Sequence, residues 1–276
     1  MDQETKTTDL IVRYDGETAD SGRLDLFDAS ESLEGITRIV NVILHAFTNK
    51  EEIRERLSAP VGANAYLSAA KKGCFEESIE IEFGVAAVKR IKPSVIVPNF
   101  WDYFTCCVST AIGRDYQPTT PMVKKIADND EAFFEEIAEE LEAPLQKFHR
   151  PIKSQGATTI TFARPKSKDI LTLDKNTLAW VSVADQAKDL SNWTGNVTKY
   201  NILSGVGRMY IDQLQCTIPF RIGQFKENIR AHQAATASMN ERAKGQGGKR
   251  KIVGYPVHNS LNTIKRIIVQ EINEFF

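Results

Sequence analysis

Four carboxylates, Asp25, Asp28, Glu76 and Glu77, are the side chains of this chain best suited by type to acid–base or metal chemistry. Folding that brought them together would let them share a proton or hold Mg²⁺. Three of the four also have a structural duty to explain them. Asp28 is followed by Glu31 and then by Leu33, Ile36, Ile39, Val40, Ile43, Leu44 and Phe47 at spacings of three and four, so it has the form of a capping box. Glu76 and Glu77 fall where a hairpin is expected to meet solvent. A metal-dependent hydrolase or nuclease is therefore the third reading, and whether the four carboxylates form a site stays open.

Other signatures of chemistry are missing. Cys74, Cys106, Cys107 and Cys216 have no CxxC spacing and no His at a zinc-like interval. The adjacent pair Cys106 and Cys107 lies in an apolar helical pattern, where a free thiol packs as a small hydrophobe. His45, His149, His232 and His258 are scattered, with no HExxH and no Gly-x-Ser-x-Gly elbow. Gly205-Val206-Gly207-Arg208 sits between two strands and reads as a hairpin turn. Gly245-Gln246-Gly247-Gly248-Lys249-Arg250 imitates a phosphate loop but lacks the Walker frame. No catalytic residue, metal or cofactor is expected, and the balance leans away from an enzyme.

Charge carries the sharper signal. The net charge of −1 excludes a strongly basic nucleic-acid binder but conceals segregation along the chain. Residues 127–142 hold eight acidic side chains and no Lys or Arg, whereas residues 221–270 hold ten basic and two acidic ones. Arg221, Lys226, Arg230, Arg242, Lys244, Lys249, Arg250 and Lys251 are the candidate binding residues, for a protein partner or a nucleic acid. Complementary patches can join copies head to tail. Nucleic-acid binding would instead weaken steeply with salt, and exposed Trp193, Tyr200, Tyr210 or Phe220 would stack bases.

The elements that position these residues are legible from periodicity. Residues 9–14 form a β-prone run ended by Asp15-Gly16, and residues 65–68 and 78–83 supply strands around the turn-like Lys71-Lys72-Gly73. Pro98 suits the first turn of a helix running through Trp101, Phe104, Val108 and Ile112 to Gly113. Residues 130–149 give a second amphipathic helix with an acidic, solvated face and a kink at Pro144. Beyond residue 165 short strands dominate, at 196–200, 208–211, 217–222, 251–257 and 264–272, and an Ala-rich helix at 225–243 interrupts them. Pro219 belongs at an edge or bulge. The fold class is therefore α+β: an N-terminal sheet packed with amphipathic helices at 1–165, then a small antiparallel β-barrel with an inserted helix at 166–276.

No apolar run reaches the length of a membrane span, and the N-terminus has no leader pattern, so a cytoplasmic chain with no membrane partner is expected. Arg13-Tyr14-Asp15-Gly16, Arg23 to Asp28, Ser32 to Ile36, His45-Ala46-Phe47, Gly195 to Asn201, Gly205 to Arg208 and Ile218-Pro219-Phe220 together resemble a family of uncharacterised bacterial proteins. The resemblance implies a bacterial cytoplasm with anti-phage defence as a context, and it carries no catalytic residue. The leading expectation is a non-enzymatic binding or assembly module that self-associates within a multi-protein system. A nucleic-acid-binding accessory protein is the alternative.

Overall fold

The computed structural model describes residues 5–54, 59–68, 75–129, 133–165 and 169–274. The expected turn at Lys71-Lys72-Gly73 lies outside them, as do Cys74, Asp130 and Glu131. The chain divides into two compact units, Met1–Lys125 with Ile137–Val181, and Ile126–Glu136 with Ser182–Phe276. No described helix is long and apolar enough to cross a membrane.

The first unit is built on an antiparallel sheet of order β2-β3-β1-β4-β5, with β1 Lys6–Asp15, β2 Ala63–Ser68, β3 Phe75–Phe83, β4 Thr159–Ala163 and β5 Asp169–Leu173. Strand alternation decides which face is covered. Leu10, Val12 and Tyr14 of β1 lie opposite Ile79, Glu77 and Phe75 of β3, and this face carries the core. Glu76, Glu80 and Glu82 take the other face, opposite Arg13, Asp9 and Thr7. β4 and β5 extend the sheet past residue 165, the point where sequence placed the change of character.

Helices α1 (Leu26–Thr48), α2 (Val85–Ile91), α3 (Ile96–Ala111), α4 (Pro121–Asn129), α5 (Phe133–Phe148), α6 (Arg150–Lys153) and α7 (Lys175–Val181) accompany the sheet. Phe47 of α1 meets Phe83, Phe100 and Tyr103 with ring centroids 5.8, 5.5 and 5.3 Å away. Cys106 and Cys107 are both buried in α3, as small hydrophobes. Gly35 lets α1 approach α5: a Cβ there would lie 2.5 Å from the Phe148 nitrogen and 2.6 Å from the Pro144 carbonyl.

One expectation is corrected. α1 is capped by Asp25, whose Oδ1 accepts from the Phe27 and Asp28 amides at 2.9 and 3.3 Å; Asp28 is already inside the helix. The apolar periodicity conceals this because the first turn buries no apolar side chain: Leu26 and Phe27 are exposed.

The second unit is a closed barrel of five strands, running β7 (Ser191–Asn201), β8 (Val206–Ile211), β9 (Cys216–Ile222), β11 (Ile264–Glu274) and β10 (Arg250–Asn259) back to β7. A short β6 (Val183–Gln186) pairs with β10 from outside the ring. The β9–β11 seam is parallel, because helix α8 (Ile229–Ala243) and β10 intervene before the chain returns; the other seams are antiparallel. That seam begins at Phe220, so Pro219, which has no amide hydrogen, lies just before the ladder to β11. Val197, Met209, Ile211, Ile218, Phe220, Ile252 and Ile267 fill the barrel core, and Ala231 and Ala235 of α8 pack with them.

Candidate binding groove on the barrel

α8 turns its small residues Ala231, Ala235 and Ser238 inward and presents Ile229, Arg230, Gln233, Thr236 and Asn240 outward. Two turns rise beside it. The β7–β8 turn holds Ile202 and Leu203, and the segment after β9 holds Phe225 and Lys226. Between them runs an open groove of about 930 Å³ lined by Ile202, Phe225, Lys226, Ile229, His232, Gln233, Thr236, Ala237 and Asn240. Ile202, Leu203 and Ile229 are 60, 84 and 63 % exposed, an unusual concentration of aliphatic side chain in water.

The groove is held in shape by a hydrogen-bonded histidine. His232 Nε2 meets the Phe225 carbonyl oxygen at 2.5 Å, and since a carbonyl can only accept, Nε2 carries the proton. Nδ1 therefore accepts from the Tyr200 hydroxyl. The Tyr200 ring stacks on Phe220 at 5.9 Å, and burial pushes its phenol up to about 12, keeping it the donor. A single imidazole thus ties α8 to the segment bearing Phe225 and Lys226.

The eight basic residues singled out by sequence are divided by the fold. Lys226, in the segment before α8, lines the groove, and Arg230 follows Ile229 in the first turn of α8; both are exposed and, among the described residues, without an ion pair. Arg242, Lys244 and Lys251 are exposed but do not line it. Lys249 pairs with Asp212 at 2.6 Å, and Arg221 is half-buried and engaged. Arg250 is buried and grips both carboxylate oxygens of Glu241 at 2.7 and 2.9 Å. It belongs to the barrel's framework rather than its surface.

The acidic segment is likewise more committed than a solvated face. Glu135 pairs with Arg208, Glu136 accepts from Ser204, and Glu142 is buried. The aromatics also turn inward: Trp193 and Phe220 are 6 and 1 % exposed, and Tyr200 is occupied by Phe220 and His232. Gly205 serves a turn, at φ +75°, whereas Gly207 lies within β8, where a Cβ would lie 2.3 Å from the Lys199 carbonyl.

The N-terminal carboxylates have separate partners. Asp25 caps α1. Asp28, 6 % exposed, accepts from Arg150 Nε at 2.7 Å and from the Ser154 hydroxyl. Glu76 pairs with Arg13 at 3.3 Å. Glu77 does not meet solvent as a hairpin residue would; it lies on the core face, where burial raises its pKa to about 7 against the opposing effect of a hydrogen bond to Tyr14. Glu77 Oε2 is buried without a hydrogen-bond partner among the described residues. The Ser32 hydroxyl donates to the Phe148 carbonyl at 2.9 Å, so Tyr14 donates to Ser32, also at 2.9 Å. Among the described residues no three His, Cys, Asp or Glu side chains are placed to hold a metal ion.

A family model described as a domain of unknown function (DUF7946) matches residues 10–182. The chain belongs to this family. The matched DUF7946 segment runs from β1 to the end of α7 and stops where the first unit ends, at Val181. It thus contains the carboxylates, while the barrel and its groove lie beyond it. Comparison with curated proteins gives no match.

Charge along the chain points to Lys226, but not to Ile202, Phe225, Ile229 or His232, which line the groove with it, nor to the exposed Leu203 beside Ile202. A signal for Ile202 and Leu203 was present: an aliphatic pair set in a turn between Asn201 and Ser204-Gly205 has no core to enter.

Proposed function

We propose that this protein is a non-enzymatic binding module whose barrel groove captures an acidic, apolar-bearing segment of a protein partner. The observation that carries the reading is that exposed Ile202 and Ile229 line one groove together with Lys226, with exposed Leu203 and Arg230 next to them in the chain. Apolar anchors supply contact area, and the flanking cations select a segment of opposite charge and steer its approach. Three of the four barrel aromatics, Trp193, Tyr200 and Phe220, are buried or engaged within the fold, which favours protein over nucleic acid. Engagement of Glu135, Glu136 and Glu142 within the fold weakens head-to-tail assembly by charge. Membership of a bacterial defence assembly is the wider setting we propose, on the sequence resemblance alone.

The test is an anisotropy titration with two labelled probes, a peptide rich in leucine and glutamate and a single-stranded oligonucleotide of equal charge. Saturable peptide binding that Lys226→Glu with Arg230→Glu abolishes, and that the oligonucleotide does not displace, supports the reading. Tighter oligonucleotide binding that the same substitutions abolish overturns it in favour of nucleic acid.

A further inference from the structure

We infer that two copies of this chain join through β2 into one continuous sheet. β2 ends the first sheet, and among the described residues its outer edge has no strand beside it in the order β2-β3-β1-β4-β5. Such an edge offers a row of amide and carbonyl groups to any extended chain, and proteins usually protect it with charge, proline or a bulge. β2, Ala63-Asn64-Ala65-Tyr66-Leu67-Ser68, has none of these. The opposite edge differs: β5 begins at Asp169 and runs into Asp174 and Lys175.

Beside the bare edge the core is open. Register with β3 puts Ala65 and Leu67 on the face shared with Ile81 and Ile79, yet Leu67 is 58 % exposed. A cleft of about 210 Å³ lies there, walled by Leu33, Thr37, Val40 and Asn41 of α1 and by Ala65 and Leu67 of β2. On the other face Tyr66 is 51 % exposed.

Charge selects the occupant. No lining residue of the cleft is ionisable except Tyr66, so an added strand must bring no charge into it. β2 itself meets that requirement. In an antiparallel pair related by a two-fold axis through Tyr66, directly opposed residues share a face. Leu67 then faces Ala65 of the other copy across the cleft, large against small; Asn64 faces Ser68; and Tyr66 faces its own counterpart on the outer side. This register brings the two exposed apolar side chains of β2 into contact. Because no ion pair is involved, dimerisation should resist salt.

Sedimentation at low and high salt tests the association, and Leu67→Lys tests the surface. The wild-type chain should be dimeric at both salt concentrations, and the substitution, at an exposed site, should weaken dimerisation about tenfold or more while circular dichroism stays unchanged. Register is tested by oxidation with Cys74 and Cys216 replaced by serine. Opposed Cα atoms in such a pair lie about 4.5–5.5 Å apart, within disulfide reach. Tyr66→Cys should form a disulfide-linked dimer and Asn64→Cys should not. A monomeric wild type, a dimer indifferent to Leu67→Lys, or equal crosslinking at the two positions would overturn the inference.

Discussion

Removing the Asp28 carboxylate should destabilise the first unit more than removing the true cap of α1. Asp28 is 6 % exposed and accepts from the Arg150 guanidinium at 2.7 Å and from Ser154. Asp28→Ala deletes two hydrogen bonds to an ionised acceptor, each of a kind that contributes about 1.5–3 kcal/mol. The losses are partly offset. Arg150 is 36 % exposed and keeps its place over the Phe27 ring at 5.2 Å, so water can solvate its freed end. The single Ser154 hydroxyl proton can turn instead to the Arg150 or Pro151 carbonyl, at 3.1 and 3.3 Å. The net cost is therefore about 2–3 kcal/mol, below the 3–5 kcal/mol expected when a charge is left fully buried and alone. Asp25→Ala removes an exposed cap and should cost about 1 kcal/mol. Urea unfolding followed by far-ultraviolet circular dichroism separates the two, and the Tm for Asp28→Ala should fall by about 5–10 °C for a unit of this size. A larger loss for Asp25→Ala than for Asp28→Ala would refute the assignment of cap and buried pair.

Further expectations concern other residues. A Glu77 carboxyl titrating near 7 in the fold and near 4.5 when unfolded means that the folded state binds the extra proton in between, so stability falls as pH rises through that window. Glu77→Gln removes the charge at nearly the same size and should exceed wild-type stability at pH 8 by something on the order of 1–3 kcal/mol, with the advantage gone by pH 4; a variant less stable at both values would contradict this. Gly35→Ala forces a methyl against the α5 backbone and should cost about 1–3 kcal/mol in urea unfolding. Arg250→Glu should sharply lower the thermal midpoint of the barrel, whereas Lys251→Glu, on the same strand but exposed, should leave it unchanged in calorimetry.

Strand and helix positions were readable wherever burial imposed a period. α1, α3, α5 and the five barrel strands each repeat apolar residues at the spacing of their own geometry, so their existence and type follow from Leu33 to Phe47, Trp101 to Ile112, or Met209 and Ile211. β4 and β5 were hidden because Thr159–Ala163 and Asp169–Leu173 are each only five residues long. Neither alternates long enough to announce a strand, and their pairing with β1 is long-range. The start of α1 was misread because two aspartates of equal capping ability stand three residues apart, and only tertiary contact with Arg150 decides between them.

The site was less legible than the fold. Charge along the chain identified Lys226 and Arg230, but composition cannot distinguish them from Arg250, which looks equally basic and is locked onto Glu241. Glu77 illustrates the same limit on the acidic side: its neighbours suggest a wet hairpin, and only the register with Val12 and Tyr14 puts it on the core face. The groove itself joins residues from a hairpin turn, a loop and a helix, a proximity that no local pattern encodes.

Photo-crosslinking in the native cell tests the central claim most directly, with a photoreactive residue placed at Ile229 in the groove and, as a control, at Lys251 outside it. A protein adduct at position 229 that disappears with Lys226→Glu and Arg230→Glu, and that position 251 does not give, is the predicted result; a nucleic-acid adduct at position 229, or no adduct there at all, would contradict it.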